Sequence, residues 1–413
     1  MISKVQIENF KGFKNIELDL SKLNLFVGEN GTGKSTVAQA LSIFKKSAKT
    51  SGINTDLPSL NLGPLDKLIP PSESATIILS GDMDVNLKKP FVNGPVKFSA
   101  KIQFDFNGLL LYESEIKFQQ YTIHGYRPRS GILKVDPDKL TFFGITFYIT
   151  PPNYIGEVFG SGGYSYPGTD PLVAQKILSE ILKLGDLVFK KLEKIIVVPE
   201  IRGILEPSYN LLPTVSPELN SRVGMYQVGS SFASDLAYLD KIPTDNIKKW
   251  MKTLMNVNIE WKLMPGNQIA ILSEGDERES YLVNEGFGTN QIVFILYPIA
   301  YAKKDSLIIV EEPEIHLHPE AQFSFGKFLS KIVADEGIQF ILNTHSEHIL
   351  YGVLDSIRSG IIGPDDVAIW LFEKQAKENT AKKCKINSNG TTDEGLKTFI
   401  KTSIKEMDEM LIK

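Results

Sequence analysis

Lys22-Leu23-Asn24-Leu25-Phe26-Val27, followed by Gly28-Glu29-Asn30-Gly31-Thr32-Gly33-Lys34-Ser35, decides the fold. The second half meets the pattern G-x-x-x-x-G-K-[ST] at every fixed position. The six residues before it are short and mostly apolar, which reads as a strand. Thr36-Val-Ala-Gln-Ala-Leu-Ser-Ile-Phe44 after it has helical spacing. A strand, a glycine loop and a helix in that order aim several backbone N–H groups and the positive end of a helix dipole at one point. Such a point suits a polyphosphate. Asn30, Gly31, Thr32, Gly33, Lys34, Ser35 and Thr36 are the expected nucleotide contacts. Lys34 would reach the β- and γ-phosphates, and the Ser35 hydroxyl would ligate Mg²⁺.

Further along, Ser306-Leu-Ile-Ile-Val310 is a continuous apolar run, the pattern of a strand buried on both faces of a parallel sheet. Glu311-Glu312-Pro313 stands at its C-terminal end, where ligands sit in open α/β sheets. On an extended backbone the two carboxylates would point in opposite directions. Glu311 is then expected to hold the metal through water, and Glu312 to act as general base on the attacking water. Gly337-Ile-Gln-Phe-Ile-Leu-Asn343 reads as another buried strand, with Thr344-His345-Ser346 at its tip. A histidine there can donate to a γ-phosphate and register its presence. His316 and His318 share one face of what reads as an extended segment, with no cysteine near. Contacts with a subunit or the nucleotide edge suit them better than a metal.

Asn284-Glu-Gly286-Phe-Gly288-Thr-Asn-Gln291 opens the apolar helical run Ile292–Ala300, which makes a second anion-binding helix start. One phosphate cannot easily use both glycine loops of one subunit. A head-to-tail pair can, with loop 284–291 of one copy capping the phosphates held by loop 28–35 of the other.

At 413 residues the chain has room for two or three domains. Its formal net charge of -4 excludes a globally basic nucleic-acid glove but leaves local patches such as Lys45-Lys46 and Lys382-Lys383. A lone cysteine, Cys384, excludes an intramolecular disulfide and a cysteine-rich zinc site. The first residues lack the apolar core of a signal peptide, and no apolar run is long enough to span a bilayer. The expected location is the cytoplasm, away from membranes.

Residues 1–20 read as a hairpin around Lys11-Gly12, and 48–75 as loop. A β-rich stretch follows, with Thr76–Ser80, Val96–Phe106, Leu109–Gln120 and Leu140–Ile149 as strands and Asn107-Gly108 as a hairpin turn. Residues 151–171 read as a surface loop, Leu172–Leu192 as an amphipathic helix and Ile195–Val198 as a buried strand. Residues 235–257 read as helix, Val367–Glu373 as a strand and Thr392–Lys413 as a charged helix. No heptad run sustains a coiled coil. The expected division is 1–75 with the phosphate loop, 76–280 as a β-rich and helical insertion, 281–365 with signature, acids and histidine, and 366–413 as a closing strand and helix.

The order of phosphate loop, glycine signature, Leu307-Ile-Ile-Val-Glu-Glu-Pro-Glu-Ile-His-Leu-His-Pro319 and Asn343-Thr-His-Ser-Glu-His-Ile-Leu350 resembles the ABC-type ATPases of the RecF, structural-maintenance (SMC) and overcoming-lysogenization-defect (OLD) groups. Residues 7–36 are very like the opening of those proteins. Asn284–Leu296 looks like the degenerate signature of their stand-alone, AAA-family members. The resemblance covers about residues 1–45 and 280–352. Between these, only Val198-Pro-Glu-Ile-Arg202 shares in it, similar to a proline–arginine motif near the site in relatives.

The resemblance implies an α/β P-loop NTPase with an ABC-type head, its mixed sheet flanked by helices and carrying β-rich and helical insertions. It implies ATP and Mg²⁺ as cofactors, Asn284, Gly286 and Gly288 acting across a homodimer or larger homo-oligomer, and Arg202 near the site. It further implies an ATP-hydrolysing switch that controls a separate effector protein in prokaryotic defence or DNA maintenance. Two departures stand out. Glu311 replaces the usual Asp, lengthening the side chain beside the metal, and Asn284 replaces the usual Ser while still able to donate a hydrogen bond. Some relatives lose the catalytic acid; Glu312 is present, which favours hydrolysis. The roughly sixty residues after 352 hold no acidic cluster suited to two-metal cleavage, so no nuclease domain is expected. The alternative is a RecF-like repair ATPase that works by binding DNA. An inactive nucleotide-dependent scaffold is a third reading.

Overall fold

Alternating apolar residues at the start of the chain do build a hairpin. In the computed structural model, Ile2–Phe10 (β1) pairs with Phe13–Asp19 (β2). The cross-strand partners Val5 and Leu18, Ile7 and Ile16, and Phe10 and Phe13 are all buried. The structure describes residues 1–49, 62–71, 73–85, 94–118, 121–128, 190–198, 202–211, 241–274, 279–375 and 378–392, with a few single residues and short stretches between 184 and 238. The expected strand Leu140–Ile149, the loop 151–171, most of the helix 172–192 and the terminal helix beyond Thr392 lie outside these residues.

The chain divides into two compact units. The first comprises Met1–Leu20, Gln39–Thr55 and Gly63–Ile195. Its sheet runs β2-β1-β4-β5-β6-β7 and is antiparallel throughout, with β4 at Ala75–Val85, β5 at Gly94–Asp105, β6 at Gly108–Phe118 and β7 at Tyr121–Pro128. The opening hairpin is therefore continued by the β-rich stretch. The Asn107-Gly108 turn forms as expected: the Asn107 N–H donates to Asp105 Oδ1 at 2.7 Å, and Gly108 takes a φ of 113°. One face of β4 and β5 is apolar and buried through Ile77, Leu79, Phe98, Ala100, Ile102 and Phe104.

The second unit comprises Ser21–Ala38, Asp56–Leu62 and Ile196–Lys413. Its main sheet runs β16-β15-β3-β14-β13-β8. These strands are Leu23–Gly28 (β3), Ile195–Val198 (β8), Leu307–Glu311 (β13), Gln339–Asn343 (β14), Val367–Gln375 (β15) and Glu378–Cys384 (β16). β15, β3, β14 and β13 are mutually parallel, and β16 is an antiparallel edge. Every residue of β3, β13 and β14 is buried. Their largely apolar makeup, with Asn24 the one polar residue inside a strand, suits a parallel sheet covered on both faces. Each buried Leu or Ile contributes roughly 1.5–3 kcal/mol, so these strands hold their ends firmly.

Five helices are described. Lys34–Lys49 (α1) follows the phosphate loop, Lys241–Met255 (α2) covers the middle region, and Phe287–Tyr301 (α3) follows the second glycine loop. Pro319–Glu336 (α4) connects β13 to β14, and Glu347–Arg358 (α5) leads from β14 towards β15. A small antiparallel sheet joins Asn258–Met264 (β10), Gln268–Glu274 (β11) and Glu279–Tyr281 (β12), with Ser208–Asn210 (β9) against β11. Among the described residues no helix is long and apolar enough to cross a membrane.

The order of the central strands positions the site. The phosphate-loop strand β3 is not next to the acid-bearing strand β13; β14 lies between them. The C-terminal ends of three adjacent parallel strands thus present Gly28, Asn343 and Glu311 along one edge. This is an α/β P-loop NTPase fold of the ABC type, with a mixed sheet.

Candidate nucleotide site

The loop after β3 is shaped by its glycines. Gly28, Gly31 and Gly33 have φ of +142°, +77° and +102°, a region L side chains rarely adopt. A Cβ on Gly28 would lie 2.2 Å from the Phe372 carbonyl oxygen, whereas one on Gly31 would meet nothing within 4 Å. The loop is therefore backed by β15 on one side and open at Gly31. The Thr32 hydroxyl donates to the Glu29 carbonyl at 2.8 Å. The Lys34 ammonium donates to the carbonyls of Gly28 at 2.8 Å and Glu29 at 2.9 Å. Burial lowers its pKa, while Glu312 and Glu314 act in the opposite direction. Asn30 is exposed, Ser35 half-buried and Thr36 buried, the last two in the first turn of α1.

At the end of β13, Glu311 is buried and in register with Asn343. The strand stops there. Glu312 has a φ of 44°, so the two acids do not alternate along an extended backbone as the sequence reading expects. Left-handed backbone costs a non-glycine residue roughly 1–2 kcal/mol. Long-range bonds offset that cost. The Glu312 N–H donates to the Asn343 carbonyl at 2.8 Å. The Arg202 guanidinium donates to the Glu311 carbonyl and the Glu312 carbonyl, each at 2.8 Å. Arg202 is only 2% exposed. Burial depresses its pKa to about 10, against the pull of Glu314, Glu312, Glu200 and Glu311, so it stays charged at neutral pH. The residue carried over only from a short resemblance thus proves to hold the acid turn in place.

Two further side chains escaped the sequence reading. The Glu314 carboxylate accepts from the Thr344 hydroxyl at 2.8 Å and from the His345 backbone N–H, which ties the acid turn to the histidine turn. Its burial raises its pKa, opposed by those hydrogen bonds and helped by Glu312. Its place in Glu312-Pro313-Glu314 was visible, but no periodicity marks a carboxylate as a clamp. Asn343 is 0% exposed, and neither its Oδ1 nor its Nδ2 has a partner among the described residues. An unsatisfied buried polar group costs roughly 1–3 kcal/mol. Asn343→Leu, nearly the same size, should therefore raise the melting temperature while lowering ATP turnover, read by calorimetry and phosphate release. A variant melting no higher than wild type would contradict the unpaired state.

His345 is half-buried. Burial, and then the charge of Lys34, lower its pKa, so its imidazole is neutral near pH 7 and offers one N–H. Ser346 caps α5, its hydroxyl accepting from the Ile349 N–H at 3.0 Å, which fixes the turn that carries the histidine. Lys34 follows β3, Glu312 follows β13 and His345 follows β14, and Lys34 lies within electrostatic reach of each of the other two.

Asn284 ends a short 3₁₀ turn, Leu282–Asn284, and is exposed together with Gly286 at the N-cap of α3. A Cβ on Gly286 would meet nothing within 4 Å. Gly288 differs. A Cβ there would lie 2.3 Å from the His316 carbonyl oxygen, so this glycine serves packing within its own chain. His316 and His318 do not share a face of an extended segment. His316 takes a φ of 60° and meets the Phe287 ring edge-on at 5.0 Å. The His318 Nδ1 caps α4, accepting from the Glu320 N–H at 3.3 Å. No group of three or more His, Cys, Asp or Glu among the described residues is placed to hold a metal by itself. Mg²⁺ usually takes only one or two protein ligands, with phosphate oxygens and water filling the rest, so such a group is not required. The open glycine loop, the buried ammonium and the unpaired Asn343 amide fit a triphosphate.

The family description "AAA ATPase domain" matches residues 1–123 and 177–350, well over half of the chain. A Helicobacter pylori protein described as an ATP/GTP phosphatase is 50% identical over 42 residues, 10% of this chain and 11% of that protein. The chain therefore spans about a tenth of that curated relative's length. Among solved structures, an SMC head domain from Thermotoga maritima is similar at 12% identity and a TM-score of 0.43, covering 93% of this chain and 99% of its own. An Smc head domain with a coiled coil and joint from Pyrococcus yayanosii is similar at 10% identity and a TM-score of 0.48, covering 97% and 99%. One from Pyrococcus furiosus, bound to the C-terminal domain of ScpA, is similar at 12% identity and 0.46, covering 99% of both.

Proposed function

The chain belongs to the AAA ATPase domain family, and on that premise we propose that it is an ATP-hydrolysing switch, two copies of which close head-to-tail over ATP and Mg²⁺. The observation that carries this reading is the placement of Lys34, Glu312 and His345 by the ends of three adjacent parallel strands. The description of the Helicobacter pylori relative supports triphosphate hydrolysis.

Bound ATP with Mg²⁺ would supply the phosphoanhydride to be cut and a metal that draws charge from it. The protein's residues then divide the work. The Lys34 Nζ and the loop N–H groups of residues 30–36 hold the β- and γ-phosphates. The Ser35 hydroxyl and the Glu311 carboxylate hold the metal. The Glu312 carboxylate oxygen takes a proton from water, and the Arg202 bonds to backbone carbonyls keep that carboxylate on station. The neutral His345 donates its N–H to a γ-oxygen. Asn284 and the exposed Gly286 at the start of α3 close the site of the partner copy, while Gly288 keeps that start packed against its own chain.

Closure needs a contact that exists in one state only, and a γ-phosphate bridged by two copies supplies it. The output belongs to a separate effector in prokaryotic defence or DNA maintenance, acting in the cytoplasm. The second reading, a RecF-like DNA binder, finds support only in lysine patches such as Lys382-Lys383. Phosphate release and light scattering with ATP, with ADP, and with single- or double-stranded DNA test both. Pairing in ATP that lapses on hydrolysis is the expected result. DNA binding with a steep salt slope and no ATP-dependent pairing would favour the second reading.

A further inference from the structure

The first turn of α3 is fastened to the acid turn of the same chain by a route the proposed reaction does not require. Asn290 is 1% exposed, and its side-chain amide grips the backbone of Ile204 from both sides. Its Oδ1 accepts from the Ile204 N–H, and its Nδ2 donates to the Ile204 carbonyl at 2.6 Å. Gly203 lets the chain lie flat on that amide: it has a φ of +151°, and a Cβ there would stand 3.3 Å from the Asn290 Oδ1. One residue earlier, Arg202 holds the Glu311 and Glu312 carbonyls. The other end of the turn is touched directly. Gly288 packs on the His316 carbonyl, and the Phe287 ring meets the His316 ring.

The acid turn is therefore held at both ends by the helix start that carries the glycine signature. Glu312 sits in a left-handed conformation that persists only while its surroundings impose it. A shift of the first turn of α3 must be passed to Glu312, through Asn290, Ile204 and Arg202 at one end and His316 at the other.

We propose that Asn290, Ile204 and Arg202 form a tie that makes the position of Glu312 depend on the engagement of α3. Asn290 and Arg202 are then positioning residues. This rests on the head-to-tail reading above: the start of α3 meets the partner's nucleotide, so the tie tells a copy's own acid turn that the partner is loaded. The two sites of a pair become interdependent, and hydrolysis is withheld until both are filled.

Hydrogen–deuterium exchange of the full chain, with Asn290→Ala and Arg202→Lys as separate variants, tests the tie without any need for turnover. In nucleotide-free protein, the Glu312 amide bonds to Asn343 and the Leu317 amide to Glu314, so residues 311–317 have protection to lose. The expected result is faster exchange at 311–317 in both variants with residues 28–36 unchanged. Turnover should fall roughly tenfold to a hundredfold, the scale of a catalytic group misplaced by about an ångström. KM for ATP should stay within about twofold, the mark of an interaction used in the transition state and not in binding. The dependence of wild-type rate on ATP should be sigmoidal and become hyperbolic in the variants. Exchange at 311–317 equal to wild type in variants that remain folded would overturn the tie. If Asn290→Ala does not fold, Arg202→Lys gives the same reading with the charge retained. Wild type showing no ATP protection at 28–36 would instead sink the nucleotide reading, while the nucleotide-free arm still decides the tie.

Discussion

Glu312→Gln should bind ATP as wild type does, lose hydrolysis, and elute with ATP and Mg²⁺ as a stable pair. A carboxamide keeps the size and hydrogen-bonding reach of the side chain but cannot take a proton at neutral pH. A positioned general base is worth roughly 10²- to 10⁴-fold in rate, so turnover should drop by that factor. The bonds that shape the turn run from Arg202 and Asn343 to the backbone of residues 311–312, so the substitution leaves them in place. The nucleotide then persists, and with it the contact that joins two copies. Light scattering and phosphate release measure both consequences. A variant that hydrolyses at the wild-type rate removes Glu312 from catalysis. One that is inactive yet stays a single copy in ATP ends the head-to-tail arrangement.

Lys34→Ala should abolish ATP binding at any concentration used in routine assays. The ammonium would make at least two charge-assisted bonds to phosphate oxygens, each worth about 1.5–3 kcal/mol. Their joint loss weakens affinity by roughly 10²- to 10⁴-fold, since every 1.4 kcal/mol is about tenfold. Folding should change little. The cation is buried, and its lowered pKa reports that burial already disfavours the charged form. The neighbours it leaves are the carbonyls of Gly28, which is buried, and Glu29, which is exposed. Titration calorimetry with ATP, paired with a melting curve, separates the two effects. Affinity retained near the wild-type value would place the nucleotide elsewhere.

Much of this protein could be read without coordinates, for a physical reason particular to each element. The phosphate loop obeys local stereochemistry: glycine stands where φ must be positive, and an apolar strand precedes it. β13 and β14 are buried on both faces, so their unbroken apolar runs announce them. β10 was legible and passed over: Asn258-Ile-Glu-Trp-Lys-Leu263 alternates polar and apolar residues. Of Asn258–Met264 only Ile259 is buried, because the strand is an edge paired by β11 alone. β7 and β16 are likewise edges whose partners define them.

The buried parallel strands and the phosphate loop were thus written in the chain, because short-range backbone geometry and periodic burial leave a mark on neighbouring residues. The turn at Glu312, the clamp made by Glu314, the unpaired Asn343 and the grip of Asn290 on Ile204 left no such mark. Each depends on groups far apart along the chain, Arg202 lying 110 positions before Glu312. Those hydrogen bonds come into being only when folding sets β14 between β3 and β13 and lays residues 202–204 against both α3 and the acid turn. No spacing rule in the sequence can encode a contact whose geometry is set by the assembled sheet.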